Sequence, residues 1–123
     1  MLIEENTAEQ SLALTSYHNG QIETGGRIYT QPLVWRNGRV EAMAAARPED
    51  LTADMLLAQP ENLPLPEVVI IGTGAKQQFL HPKIAAALSA HGIGLECMNT
   101  ASACRTLVLL QGEGRSAWAW LWP

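Results

Sequence analysis

The sequence predicts an α/β domain in which helices pack on a mixed sheet, and three observations carry that expectation. Val68-Val69-Ile70-Ile71 is an unbroken β-branched run, the pattern of a strand buried on both faces. A helix pattern and another strand pattern follow it, so Val68–Met98 reads as a right-handed parallel β-α-β crossover. Upstream, short strand-like runs are punctuated by Gly25-Gly26 and Asn37-Gly38, dipeptides suited to tight hairpin turns.

The elements follow in order. Residues 1–15 have weak periodicity and are expected to form a mobile lead-in, leaving one domain over residues 16–123. Ile22, Ile28, Tyr29, Leu33, Val34 and Trp35 mark two strands around Gly25-Gly26, and Asn37-Gly38 returns the chain along Val40–Met43. These three strands are expected to form an N-terminal antiparallel meander. Thr52 is placed to cap a short helix, Ala53–Ala58, with Asp54 in its first turn. That helix must stop before Pro60, and Pro60, Pro64 and Pro66 make a stiff connector. After the strand at Glu67–Ile71, Pro82 starts a helix that Gly92 closes. Ile93–Met98 is the next strand, and Asn99 or Thr100 caps a third helix to about Leu110. Gly112 and Gly114 break it before a last strand, Ser116–Trp122.

Composition limits the function classes. A chain of 123 residues suits one domain, and 47% hydrophobic residues suffice for its core. Only 16% of residues are charged, so a protein partner or a second copy is expected to cover some apolar surface. The net charge is −4 and the eight basic residues form no run, which disfavours nucleic acid as a partner. Met1–Gln10 carries Glu4, Glu5 and Glu9 without a basic residue, unlike a secretory or mitochondrial targeting segment. No apolar run is long enough for membrane insertion. With Cys97 and Cys104 read as reduced thiols, a cytoplasmic location is expected.

The candidate ligand niche is the Gly72-Thr73-Gly74 turn, which follows a buried strand where phosphates sit in many α/β proteins. A third fingerprint glycine and a P-loop lysine are both missing, so a tight turn with close backbone approach is the favoured reading. If parallel topology sets the helix start at Thr100 beside that turn, Lys76 and Arg105 complete a site for a small anion. The alternative is that Arg105 pairs with Glu96 or a carbonyl and fastens helix to sheet. Cys104 beside Arg105 invites a nucleophile reading, yet His18, His81 and His91 share no motif with it, and a core role is favoured. The isolated histidines and cysteines give no argument for a metal, and no cofactor or catalytic residue is expected.

Trp118, Trp120 and Trp122 recur every second residue and share one face of the last strand, while Ala117, Ala119 and Leu121 share the other. The small face suits a close-packed helix. The indole row is expected either to lie in the core under the N-terminal hairpin, meeting Trp35 and Tyr29, or to serve as an interface. In the second case Trp118 is core, Trp120 intermediate and Trp122 open to a partner.

Gly72-Thr73-Gly74, Pro82, Gly92-Ile93-Gly94, Glu96, Met98, Thr100 and Ala103-Cys104-Arg105-Thr106 together carry a resemblance. With Gly25, Gly26 and Tyr29 upstream, residues 20–121 resemble a small domain family of largely unknown function. It includes mitochondrial complex I assembly factor 3, the adipogenesis-associated protein of animals, and many bacterial and archaeal members. After Arg105-Thr106 the family usually continues Tyr-Asn, whereas this chain has Leu107-Val108. The resemblance implies a three-layer fold around a mixed sheet and a role in protein assembly rather than catalysis. The function expected is a non-enzymatic interaction or assembly module. A small-anion or metabolite-binding protein, or a weak enzyme, built on Gly72–Gly74 and Arg105 is the alternative.

Overall fold

A computed structural model describes residues 15–123. Of the expected lead-in, residues 1–14 lie outside the described residues, and Thr15 already opens the first strand. Strands β1 (Thr15–His18), β2 (Gln21–Thr24) and β3 (Arg27–Tyr29) form an antiparallel sheet of their own. Strands β4 (Leu33–Arg36) and β5 (Arg39–Ala42) do not continue it. They join β6 (Val68–Thr73), β7 (Gly94–Met98) and β8 (Ala117–Trp122) in a five-stranded sheet of order β5-β4-β8-β6-β7. The expected single meander is therefore two hairpin systems in different sheets. The first begins at an unanticipated strand that turns at Asn19-Gly20, both at positive φ. The chain changes sheet at Gln31-Pro32, where proline offers no N–H for a ladder.

The central sheet is mixed. β6 runs parallel to both β7 and β8, while β4 runs antiparallel to β8 and β5. Every residue of β6 is buried, as its β-branched run requires. Three helices flank the sheet: α1 (Ala53–Leu57), α2 (Pro82–Ser89) and α3 (Thr100–Gly112). The Thr52 hydroxyl accepts from Met55 N at 3.2 Å to cap α1, and the Asn99 side chain accepts from Ser102 N at 2.8 Å to cap α3.

Two cores lie on opposite faces of the sheet and make three layers. One joins Trp35, Ile70, Ala117, Ala119 and Leu121 to Ala103, Cys104 and Leu107 of α3, with Ile22 from the small sheet. The other joins Val69, Ile71 and the tryptophan row to Leu51, Leu56 and Leu88. The small face of β8 does receive a close helix. A Cβ on Gly72 would stand 2.8 Å from Leu121 Cδ2 and 3.1 Å from Ala103 Cβ, so the glycine serves helix–sheet approach.

The tryptophan row departs from expectation. Trp118, Trp120 and Trp122 are 0%, 3% and 8% exposed, so Trp122 is not left open. Neither does the row lie under the N-terminal hairpin, because Trp35 is on the opposite face, donating to Thr24 Oγ1 at 3.2 Å. The cover is the segment after β5, where Trp122 Nε1 donates to Ala46 O at 3.0 Å and Leu51 and Leu56 pack beneath. Small alanines at 44–46 let this backbone approach the indoles closely.

Candidate functional site

The β6–α2 loop and the start of α3 meet, as parallel topology requires. Gly74 N donates to Thr100 Oγ1 at 2.8 Å, Thr100 N returns a bond to Gly74 O at 2.9 Å, and the Thr100 hydroxyl donates to Trp122 O. Thr73 Oγ1 donates to Lys76 O at 2.6 Å, lies 3.1 Å from Met98 O, and accepts from Gln78 N at 3.1 Å. Gly72, Thr73, Gly74 and Thr100 are thus brought together, with the Lys76 backbone, as a knot that holds the loop to β7, α3 and the chain end. Three N–H groups here are spent within the knot: those of Gly74 and Thr100 on each other's residue, that of Ser102 on Asn99.

Arg105 lies elsewhere. It is exposed, donates to Ser102 Oγ at 3.1 Å, and lines a groove of about 560 Å³ between α3 and β1 with Thr15, Tyr17 and Val108. It forms no ion pair among the described residues. Of the two residues that stand where the family usually has Tyr-Asn, Leu107 is wholly buried in the core and Val108 lines the groove. Cys104 is buried beneath, and burial pushes its thiol up to about 11 against a smaller opposing effect of Arg105. Such a thiol is protonated at neutral pH. Burial also raises Cys97, against a hydrogen bond from the Leu80 backbone.

The knot presents a second feature that the sequence reading passed over. Phe79 is 79% exposed, on the loop between β6 and α2. The same loop runs beside β7, the outer strand of the sheet: Gln77 Nε2 donates to Cys97 O at 2.9 Å, and Leu80 reaches the Cys97 thiol. A phenylalanine on a fastened loop is therefore held in water beside a strand edge. The available signal was its place, Gln77-Gln78-Phe79, between a polar pair and Pro82 rather than in any periodic run.

A third site, on the other sheet edge, is centred on Arg36. Its side chain is 6% exposed, its guanidinium donates to Glu41 Oε1 at 2.7 Å, and its central carbon lies 4.6 and 5.1 Å from the Trp118 and Trp120 ring centroids. Hairpin register was the signal missed: with Asn37-Gly38 as the turn, Arg36 and Glu41 become diagonal neighbours across β4 and β5.

Among the described residues no group of three or more His, Cys, Asp or Glu side chains is arranged to hold a metal, and no helix is long and apolar enough to cross a membrane.

A family model described as a protein of unknown function (DUF498/DUF598) matches residues 14–122. NADH dehydrogenase (ubiquinone) 1 alpha subcomplex assembly factor 3 of Rattus norvegicus is 28% identical over 119 residues, covering 97% of this chain and 64% of that protein. Its Mus musculus counterpart is 42% identical over 57 residues, 46% of this chain and 31% of that protein. The matches thus span less than two thirds of the length of these curated relatives. Among solved structures, a crystal structure of a Bordetella parapertussis protein has a TM-score of 0.78 and 36% identity, covering 90% of this chain and 97% of that one. A solution structure of a Bordetella pertussis protein, described as a Mth938-like domain, has a TM-score of 0.74 and 30% identity, covering 92% and 87%.

Proposed function

We propose, since the chain belongs to the DUF498/DUF598 family of proteins of unknown function, that it is a non-enzymatic interaction module serving the assembly of a protein complex. Relatives named as assembly factors for NADH dehydrogenase support an assembly role. The observation that carries the reading is Phe79. Phe79, at 79%, is the most exposed of the large apolar side chains among the described residues, and aromatic residues are enriched where proteins meet.

The knot explains why such a surface would bind well. Bonds from Thr73 and Gln77 fix the loop before any partner arrives, so little conformational entropy is lost on docking. That the knot's own N–H groups bond one another favours this reading over an anion site at Gly72–Gly74 and Arg105. The high value of the Cys104 thiol favours binding over nucleophilic chemistry. The test is whether Phe79→Ser releases a co-purifying protein while the melting temperature stays unchanged.

A further inference from the structure

The Phe79 loop carries a charge pattern that the rest of the chain does not. From Val68 to Leu95 there is no Asp or Glu, although the whole chain has a net charge of −4. Both lysines of the protein fall inside that stretch, Lys76 and Lys83, one on each side of Phe79. Their Cα atoms lie within about 11 and 14 Å of its own, the reach of so short a chain when extended. That is close to the distance over which salt screens exposed charges, so both ammonium groups act on whatever docks at the ring.

These cations are unanswered by the protein itself. Lys76, Phe79 and Lys83 are all exposed. Among the described residues neither lysine enters an ion pair, whereas Arg36, Arg39, Arg47 and Arg115 each meet a carboxylate. Glu96, the first carboxylate after the stretch, alternates with Leu95 and Cys97 along β7. It therefore belongs to the other face of the sheet from the one on which Leu80 of the loop packs. His81 adds a donor: its Nδ1 accepts from Lys83 N at 3.1 Å, so the exposed ring carries its N–H at Nε2.

An aromatic anchor on a fastened loop, flanked by free cations, is complementary to an apolar residue set among carboxylates. We propose, resting on the reading that Phe79 is the docking residue, that the partner is a protein segment in which Asp and Glu flank an apolar side chain. Charge favours such a segment over a membrane, because anionic lipid surfaces are held by clusters of about four to eight cations. Nucleic acid asks for a comparable set of phosphate contacts.

The test pans a display library of random peptides against the native protein and keeps those that fail to bind Phe79→Ser. These peptides should carry more Asp and Glu than Lys and Arg. Lys76→Glu combined with Lys83→Glu should weaken them by at least about tenfold, and Lys76→Arg combined with Lys83→Arg should leave them bound. The substituted side chains are exposed, so each variant should melt with the native protein. Phe79-dependent peptides without an acidic excess, or with unchanged affinity for the charge-reversed protein, would overturn the acidic partner and leave Phe79 as the docking residue. A library that yields no Phe79-dependent peptide would remove both. Vesicles of phosphatidylcholine with about one-third phosphatidylserine are the second probe. Sedimentation of the native protein with them, lost in the charge-reversed variant, would overturn the proposal and assign the surface to lipid.

Discussion

Arg36 and Trp118 are paired across β4 and β8, and the guanidinium carbon sits 4.6 Å from the centroid of the indole it faces. A cation buried against aromatic rings is stabilised by the ring quadrupole, and this one also has Glu41 at 2.7 Å. Glu41→Ala should therefore destabilise the protein by about 1–2 kcal/mol, less than the loss of a fully buried partner because Glu41 is a third exposed to water. Replacing both residues, Arg36→Met with Glu41→Ala, should recover part of that loss. Thermal melts of the single and double variants check this, and an unaltered Glu41→Ala melt would contradict it.

Thr100 holds three elements together through one hydroxyl, accepting from Gly74 N and donating to Trp122 O. Thr100→Val keeps the shape and leaves two buried backbone groups unpaired. The expected loss is about 2–4 kcal/mol. Thr100→Ser restores the hydroxyl and should regain most of it. Denaturant titrations of both variants make the comparison.

Gly72 is needed for space, not for an unusual backbone angle. Gly72→Ala would push its Cβ against Leu121 and Ala103, and overpacking of this kind costs roughly 1–3 kcal/mol. A melting temperature equal to that of the native protein would show that α3 can retreat from the sheet.

Cys104 gives a pH dependence. Its folded value of about 11 lies above the ordinary 9.0, so the folded state holds this proton more tightly than the unfolded chain. The contribution to stability is complete below about pH 9 and is lost as pH rises through about 11. Melting temperatures should fall across that window less steeply in Cys104→Ala than in the native protein. Iodoacetamide at about pH 8 should leave Cys104 unmodified until the protein unfolds.

The second half of the fold was legible because each element announces itself locally. Val68–Ile71, Pro82 and the alternation of Trp118, Trp120 and Trp122 all place their elements where the structure has them. The first half was harder because hairpin signals fix which strands turn, not which sheet they enter. Gly25-Gly26 and Asn37-Gly38 both turn as expected, yet the break at Pro32 sends the second hairpin to the central sheet. The burial of Trp122 depends on a segment with no periodicity, residues 43–58, whose alanines fold over the indoles. The ligand-site expectation put the Gly72 turn and Thr100 together correctly in space. Arg105 was assigned to them by nearness in sequence, whereas the helix turns it toward β1.

The Phe79 docking surface is tested most directly by affinity capture of the tagged protein from its own cells, carried out in parallel with Phe79→Ser and Ile28→Ser. Ile28 is also an exposed apolar residue, 60% accessible on β3, and serves as the control for surface hydrophobicity alone. If the loop beside β7 is the docking surface, a protein retained by the native chain is lost from Phe79→Ser and kept by Ile28→Ser, with all three melting alike. Retention by Phe79→Ser, or equal loss from both variants, would contradict the assignment of the docking surface to Phe79.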